Sequence, residues 1–220
     1  MPSEQLAPMS RAKLGAAYVR IKRYVEAAGY GDEIDWQAHV HFEDVGEAEF
    51  LRESAWVVLS SGFRESVVRK CFDKVSDAFL GWEDARLIHS RRKECVNAAV
   101  RVFGNRRKLE AITQIVEKVA REGVEAIKEG IRAQGVDYLG RLPYIGPVTS
   151  YHLAKNLGLG VVKPDRHLVR MATASGHHTV VEMCSKIAEE VGDSLPVVDI
   201  VLWRYATINV EYLTDFNVGE

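Results

Sequence analysis

One aspartate and the turn that precedes it are the parts of this sequence best suited to chemistry. Asp165 follows Pro164 and stands directly before residues with helical spacing, so its carboxylate is suited to cap that helix. About twenty residues earlier, Leu142-Pro143-Tyr144-Ile145-Gly146 predicts a tight apolar turn before a helix that begins at Pro147. The N–H groups at such a helix start favour an anion, and Gly146 would let a phosphate approach closely. Each feature alone also has a structural explanation, as a helix cap and as an ordinary αα-hairpin.

Together, the turn and the aspartate resemble the helix-hairpin-helix DNA glycosylase superfamily. LPYIGPVTSYHLAKNLG is similar to the family's hairpin and second helix, and VKPDRHLVR is similar to the loop that carries its catalytic aspartate. The likeness extends more loosely over residues 46–212, through the segments WVVLSSGFRESVVRKCFDKVSDAF, FGNRRKLEAI and VDIVLWRYA. It implies an all-α, two-lobed glycosylase fold with a helix-hairpin-helix motif, DNA bound across the cleft, and Asp165 as the catalytic carboxylate.

The activity that this resemblance implies is base-excision repair by a monofunctional DNA glycosylase. Such an enzyme hydrolyses the N-glycosidic bond of a damaged or modified base that is flipped out of duplex DNA. The reaction passes through an oxocarbenium-like sugar, which a nearby carboxylate can stabilise while it orients or activates water. Two alternatives stay open. One is a non-enzymatic helix-hairpin-helix DNA-binding protein, which would have no use for a carboxylate facing DNA, and the other is a bifunctional glycosylase and AP lyase.

Val148 bears on the choice between one activity and two. Family members that also cut the DNA backbone have a lysine two residues after the hairpin glycine, where this chain has Val148. Lys155 would lie ~10 Å further along the same helix, which leaves Lys163 as the nearest other amine in the sequence. The likeness is greatest to the small archaeal-type 8-oxoguanine glycosylases. Because that branch uses the missing lysine, its substrate is not carried over to this chain.

Further site residues follow from the resemblance and from the need to flip a base out of the stack. The candidates for DNA contact are Tyr144, Gly146, Val148, Thr149, His167, Arg170, Arg106 and Arg107. The candidates for the wedge that enters the stack, and for the walls of the base pocket, are Phe63, Arg64, Trp56, Trp82, Tyr151 and Trp203. Each aromatic residue could instead be a plain core residue. Asp199, at the start of the last helix, could be a cap or a pocket contact.

The sequence predicts no metal centre and no required cofactor. Several family members end in a four-cysteine iron–sulfur loop, but Cys184 is the only cysteine after residue 95, so no iron–sulfur cluster is expected. Neither His177-His178 with Cys184 nor His39-Val40-His41 matches a standard zinc site. The resemblance does imply a K⁺ or Na⁺ ion sharing the hairpin carbonyls. The expected partner is double-stranded DNA that contains a damaged base. We expect the protein to be a monomer and not to bind a membrane.

Helical periodicity dominates the chain and predicts an all-α protein. The residues predicted to start or bound helices are Ser10 with Gly29, residues 50–62 as a buried central helix, Glu65, Ser90, Asn105 with Gly123, Asp137, Pro147 with Gly158, Asp165, Thr179 and Pro196. We expect one glycosylase unit over residues 1–220. Its central lobe should span about 46–145, and its second lobe should combine 1–45 with 146–220.

Composition and charge narrow the class of protein further. The chain has 220 residues, 47% hydrophobic and 27% charged, which excludes a disordered tail protein and a collagen-like fibre. The start lacks the apolar core of a secretory signal, and three widely spaced cysteines suit free thiols, so we expect a cytoplasmic, nucleoid-associated protein. The net charge of -2 hides an asymmetry: residues 31–55 carry about -7, whereas 81–110 and 141–170 each carry about +4. DNA is therefore expected on one face only.

Overall fold

The computed structural model describes residues 7–217 of the chain. The first six residues and the last three, which the predicted 1–220 unit includes, lie outside this range. Residues 7–217 form helices and turns without a β-strand, so the protein is all-α, as predicted. The α-helices of this range are, in chain order, α1 (Arg11–Val25), α2 (Gly31–His39), α3 (Glu47–Ser60), α4 (Glu65–Ala78), α5 (Ala85–Ser90), α6 (Arg92–Ala99), α7 (Arg106–Glu122), α8 (Val124–Gln134), α9 (Val136–Leu139), α10 (Pro147–Asn156), α11 (Arg166–Ala174), α12 (Val180–Val191) and α13 (Leu195–Ile208).

Several helices begin where side-chain caps were predicted. The side chains of Ser10, Asn105 and Thr179 accept backbone N–H groups at the starts of α1, α7 and α12, with distances of 3.3, 3.3 and 3.0 Å. Such caps satisfy N–H groups that have no partner inside the helix. Local sequence signals therefore locate these helix starts correctly.

Two predicted helix starts are wrong. Ser90 is the last residue of α5, where its hydroxyl donates to the carbonyl of Leu87 at 2.7 Å, and the next helix begins at Arg92. Asp137 lies inside the first turn of α9, whose N-cap is Gly135 with φ +56°. Residues near each site, Ile88 and Leu139, are fully buried. Their packing sets the helix ends, and the side chains that could cap there lie inside helices instead.

The first packing unit combines the chain up to Val40 with the chain from Gly158 onward. Its helices α1, α2, α11, α12 and α13 surround one hydrophobic core, which includes Tyr18, Ile21, Met171, Ile187 and Leu202. The amphipathic pattern of each helix explains this arrangement, because its apolar stripe turns inward. Unit 1 thereby fixes the start of α11, where Asp165 is the N-cap.

The second packing unit is His41–Leu157 and contains α3 to α10. The predicted central helix, α3, is buried along most of its length and packs against α7 and α10. Asn156 at the end of α10 donates to Glu53 Oε2 on α3 at 2.9 Å, and burial raises the pKa of the Glu53 carboxyl. Because α10 packs on α3, it belongs to unit 2, whereas the sequence-based boundary near residue 145 lies before it.

No helix within residues 7–217 has the length and apolar character that crossing a bilayer requires.

Candidate functional site

Asp165 lies in a short loop of unit 1. Its backbone N–H donates to the carbonyl of Lys163 at 2.8 Å, which closes a turn around Pro164. Its Oδ1 atom accepts the N–H groups of His167 and Leu168 at 2.9 and 3.1 Å, so Asp165 is the N-cap of α11, as predicted. The other oxygen, Oδ2, accepts no hydrogen bond from residues 7–217, and the side chain is half-buried. Asp165 can therefore cap the helix and still offer one oxygen to a ligand.

Asp199 holds this loop from the interior of unit 1. It lies on α13, is 1% exposed, and accepts the backbone N–H of Lys163 on Oδ2 at 2.6 Å. It does not cap α13, because the N-cap of that helix is Ser194. A buried carboxylate bonded two residues before Asp165 restricts where the Asp165 side chain can lie.

The two DNA-contact candidates on α11 differ in exposure. Arg170 is exposed, whereas His167 is half-buried. The ring Nδ1 of His167 lies 3.2 Å from the Tyr212 hydroxyl, and its Nε2 accepts from Arg166 Nε at 3.3 Å. Burial lowers the pKa of His167 below its ordinary value. Burial therefore disfavours the charged form of this ring.

The hairpin of unit 2 is a tight turn followed directly by α10. The N–H of Ile145 donates to the carbonyl of Leu142 at 3.0 Å, which leaves Pro143 and Tyr144 as the central residues of the turn. The N–H of Gly146 donates to Thr149 Oγ1 at 2.7 Å, and the Thr149 hydroxyl donates to the Gly146 carbonyl at 3.2 Å. Thr149 thus uses its hydroxyl to close the hairpin.

The first turn of α10 keeps two backbone donors open. The N–H groups of Val148 and Thr149 donate to no atom of residues 7–217, and Pro147 has no N–H to offer. Open donors at a helix start favour an anion, because the helix dipole and the N–H groups act together. This end of α10 can therefore accept a phosphate through its backbone.

The backbone conformation does not require the glycine at 146, whereas it disfavours the tyrosine at 144. Gly146 has φ -103°, which any residue can adopt, and an added Cβ would meet nothing closer than Thr149 Oγ1 at 3.8 Å. Tyr144 has φ +67°, in the left-handed region that favours glycine. Neither the fold nor the packing requires a glycine at 146. A ligand that approaches the backbone closely would require a glycine at this position.

The residues considered as a lyase amine, or as the position that lacks one, differ in exposure. Val148 is 45% exposed on the first turn of α10 and has no amine. Lys155, on the same helix, is 4% exposed and is therefore buried in unit 2. Lys163 belongs to unit 1, where its side chain is half-buried. The first turn of α10 carries no lysine.

The start of α7 brings basic residues next to the hairpin within unit 2. Arg106 and Arg107 are both exposed, and Arg106 Nη2 donates to Asn97 Oδ1 at 2.9 Å. The guanidinium carbon of Arg107 lies 5.9 Å from the centre of the Tyr144 ring. Arg107 and Tyr144, two of the predicted DNA-contact residues, therefore lie side by side.

The wedge candidates lie in the turn between α3 and α4. Phe63 is 43% exposed, and Arg64 is exposed as the N-cap of α4. The Phe63 ring lies 5.2 Å from the Phe103 ring, at the edge of a groove of about 560 Å³. The lining of this groove consists of Phe63, Val67, Cys71, Val102, Phe103, Gly104, Asn105 and Arg106. The turn thus presents both candidates at the surface of unit 2.

The remaining aromatic candidates fall into two groups. Trp82 is 1% exposed and stacks on Phe79 with ring centres 4.8 Å apart, so it is a core residue. Trp56 and Tyr151 of unit 2 and Trp203 of unit 1 are half-buried. Trp56 packs edge-on against Phe72 at 5.0 Å. Arginine side chains lie near two of these rings, with the guanidinium carbon of Arg69 5.8 Å from the centre of Trp56 and that of Arg204 4.8 Å from the centre of Trp203.

Lys108 is a residue of this region that the sequence did not single out. It is 3% exposed, and its Nζ donates to the carbonyls of Val58 at 2.6 Å, Leu59 at 2.9 Å and Ser61. Nζ also lies 4.8 Å from the centre of the Phe63 ring and 5.6 Å from that of Tyr144. Burial lowers the pKa of Lys108 to about 8.

His177 and Cys184, which were compared above with a zinc site, have other surroundings in the structure. Within residues 7–217, no three His, Cys, Asp or Glu side chains come together as metal ligands would. His177 Nδ1 lies 2.9 Å from Ser175 Oγ, and Cys184 is buried in the core of unit 1.

Comparison with known proteins finds a likeness among solved structures. No protein-family model matches the chain. No curated protein matches it either. Among solved structures, the chain is similar to the 8-oxoguanine glycosylase/lyase of Methanocaldococcus jannaschii, determined in complex with a 15-mer DNA containing 8-oxoguanine. The two share 18% identity with a TM-score of 0.59, over 87% of this chain and 98% of that one. This likeness establishes a shared fold.

Proposed function

We propose that this chain is a DNA glycosylase that hydrolyses the N-glycosidic bond of a damaged or modified base flipped out of duplex DNA. The observation that carries the proposal is the geometry of Asp165, which uses one carboxylate oxygen as a helix cap and keeps the other open. The fold supports it, because the similar solved structure is a glycosylase/lyase, and the match extends over 98% of that protein's length.

Asp165 has a direct role in this chemistry. As the bond to the base breaks, positive charge develops on the sugar, and a fixed carboxylate stabilises it while it orients the attacking water. The same carboxylate would repel DNA phosphates in a protein that only binds. A binding module therefore gains nothing from the open oxygen, whereas a glycosylase needs it.

The hairpin supplies the proposed grip on the DNA backbone. Its open N–H groups, at Val148 and Thr149, would donate to one phosphate, and Gly146 would let that phosphate approach. A K⁺ or Na⁺ ion, the group that the resemblance implies here, would be held by backbone carbonyls. Those of Tyr144 and Ile145 accept no hydrogen bond from residues 7–217, so they fit such an ion. The ion would add positive charge beside the phosphate, and the proposed hydrolysis of the N-glycosidic bond requires no cofactor.

We further propose that the enzyme is monofunctional. A lyase needs an amine that forms a Schiff base at C1′, and the first turn of α10 offers only the apolar side chain of Val148. The bifunctional alternative is favoured by one observation, namely that the similar solved structure is a glycosylase/lyase. Lys163 is the amine that this alternative would use.

A panel of short duplexes, each with one lesion, tests the proposal. The lesions are an alkylated purine, 8-oxoguanine, uracil and adenine in a mismatch. We expect one of these bases to be released and an abasic site to remain, which breaks only after alkali is added. Release of none of them by folded protein would contradict the glycosylase. A borohydride-trapped protein–DNA adduct, abolished by Lys163→Ala, would establish the bifunctional alternative instead.

A further inference from the structure

Lys108 is bound so completely that it cannot serve as a nucleophile. An ammonium group has three N–H donors, and Lys108 Nζ donates to three carbonyls, those of Val58, Leu59 and Ser61. These carbonyls belong to the last turn of α3 and the residue after it, where a helix leaves its carbonyls without partners. A cation is favoured at this end of a helix. Lys108 therefore fixes the chain that leads from α3 into the turn of Phe63 and Arg64.

This arrangement is costly, because Lys108 is buried without an acidic partner. No carboxylate within residues 7–217 forms an ion pair with its Nζ, and the side chain is 3% exposed. The aromatic faces of Phe63 and Tyr144, at 4.8 and 5.6 Å, are what surrounds the charge besides the carbonyls. A buried cation with this environment is expensive to keep unless its position matters.

Tyr144 adds a second cost at the same place. It is the third residue of the Leu142–Ile145 turn, follows Pro143, and has φ +67°, which matches a type II turn with glycine replaced by tyrosine. The ring gives a reason for the strain, since its centre lies 5.6 Å from Lys108 Nζ and 5.9 Å from the guanidinium carbon of Arg107. The hairpin is thereby tied to α7, and through Lys108 to the turn after α3.

We propose that Lys108 is a positioning residue for the DNA-binding surface of unit 2. It holds three elements in one arrangement: the α3–α4 turn with Phe63 and Arg64, the start of α7 with Arg107, and the hairpin with Tyr144. This inference rests on the proposed function in taking DNA as the ligand of that surface. Lys108 touches no phosphate itself, because its three donors are already used.

Lys108→Met tests the proposal, with Lys118→Met as the matched control. Lys118 also lies on α7 and beside an aromatic ring, that of Tyr138 at 5.5 Å, but it pairs with Glu122 at 2.6 Å and binds no α3 carbonyl. The probe is a duplex with a tetrahydrofuran analogue of an abasic site. Lys108→Met should weaken its binding about tenfold or more, and Lys118→Met should leave it unchanged. The salt dependence should keep its slope in Lys108→Met, whereas loss of a direct phosphate contact would lower it by ~0.9.

Hydrogen exchange without DNA gives a readout that does not depend on the proposed function. The amides of Ser61 and Phe63 donate to Val57 and Ser60 at 3.1 and 3.0 Å and report on the turn. We expect both to exchange at least about tenfold faster in Lys108→Met, and equally fast in Lys118→Met and wild type.

Tyr144→Gly keeps the inference testable if Lys108→Met does not fold. Because the turn favours glycine, Tyr144→Gly should melt no lower than wild type, yet bind the duplex several-fold more weakly and exchange faster at Phe63. Wild-type binding and exchange in both variants would overturn the role of Lys108 and leave the proposed function standing. A wild-type protein that binds no duplex would instead contradict the proposed function, while the exchange rates still decide whether Lys108 holds the turn.

Discussion

The Oδ2 atom of Asp199 lies 2.6 Å from the backbone nitrogen of Lys163, and this bond joins the buried face of α13 to the loop of Asp165. The Asp165 N–H in turn donates to the Lys163 carbonyl at 2.8 Å. One peptide unit on each side of Lys163 is thus fixed, the first by α13 and the second by Asp165 itself. The position of the candidate catalytic carboxylate therefore depends on Asp199, which lies 36 positions after Lys163 in the chain.

Asp199→Leu should therefore slow base release without weakening duplex binding. Misplacement of a catalytic group by about 1 Å can cost about a hundredfold in rate, so we expect a loss of about 10- to 100-fold at saturating protein. Asp199→Asn keeps an oxygen acceptor and should retain most of the rate. Single-turnover excision and duplex affinity are measured for both variants, after circular dichroism has shown that they are folded. Equal rates in Asp199→Leu and wild type would show that Asp199 does not position Asp165.

Gly146→Val should weaken binding to every duplex alike, because contacts to phosphate do not read sequence. The fold should tolerate the change, since an added Cβ has 3.8 Å of clearance and φ is -103°. Gly46 is a matched control: it is the N-cap of α3, has φ -91°, and its Cβ would meet nothing within 4 Å. We expect fluorescence anisotropy to show about tenfold weaker binding for Gly146→Val and wild-type binding for Gly46→Val. Equal affinities in the two variants would show that no ligand approaches Gly146.

Arg106→Ala and Arg107→Ala should each lower the slope of log affinity against log salt by ~0.9, as expected for one lost phosphate contact. The acidic segment supplies the control, but Glu47 is unsuitable. Its Oε1 accepts the N–H of Ala85 at 2.7 Å at the start of α5, so charge reversal there would disturb the fold. Asp44 is exposed and makes no such bond, and Asp44→Lys should leave the slope unchanged. A larger effect from Asp44→Lys than from the arginine variants would place DNA on the other face.

The stability of the protein should depend on pH through Lys108. Its pKa is about 8 in the folded protein, against 10.5 in the unfolded chain. Below pH 8 both states are charged, and burial of the charge destabilises the fold throughout. Between about pH 8 and 10.5 the unfolded state binds more protons, so this group should raise the free energy of unfolding with pH, by up to about 3 kcal/mol. Between pH 8 and 10.5, the free energy of unfolding from urea titrations should rise more with pH in wild type than in Lys108→Met. Parallel pH dependences in the two proteins would contradict the assigned pKa.

The sequence predicts those parts of the structure that depend on neighbouring residues. Ser10, Asn105 and Asp165 cap helices as expected, because a cap needs only its own helix start. Ser90 and Asp137 mislead, because packing of buried neighbours outweighs a local capping signal at those places.

The contacts that tie the site together could not be predicted in the same way. Lys108 binds carbonyls 47 to 50 residues away, and no pattern in the sequence marks a lysine for that role. Pro143-Tyr144 did contain a signal, since a turn with proline at its second residue commonly needs glycine at the third. A tyrosine there indicates that its side chain is required.

Asp165 has two assigned roles, as the carboxylate that drives base release and as the N-cap of α11, and Asp165→Asn separates them. Asn is as good an N-cap as Asp, so Asp165→Asn should preserve α11 and the fold. Asp84→Asn is the matched control, because Asp84 caps α5 with the same pattern, accepting the N–H groups of Arg86 and Leu87 at 2.9 Å on Oδ1.

The measurement is the single-turnover rate of base release from whichever lesion duplex the wild type acts on. We expect Asp165→Asn to bind that duplex like wild type and to lose about 10³-fold or more in rate, as when an essential charged group is removed. Asp84→Asn should react at the wild-type rate. Base release by Asp165→Asn at a rate close to that of wild type would contradict the assignment of Asp165 as the catalytic carboxylate.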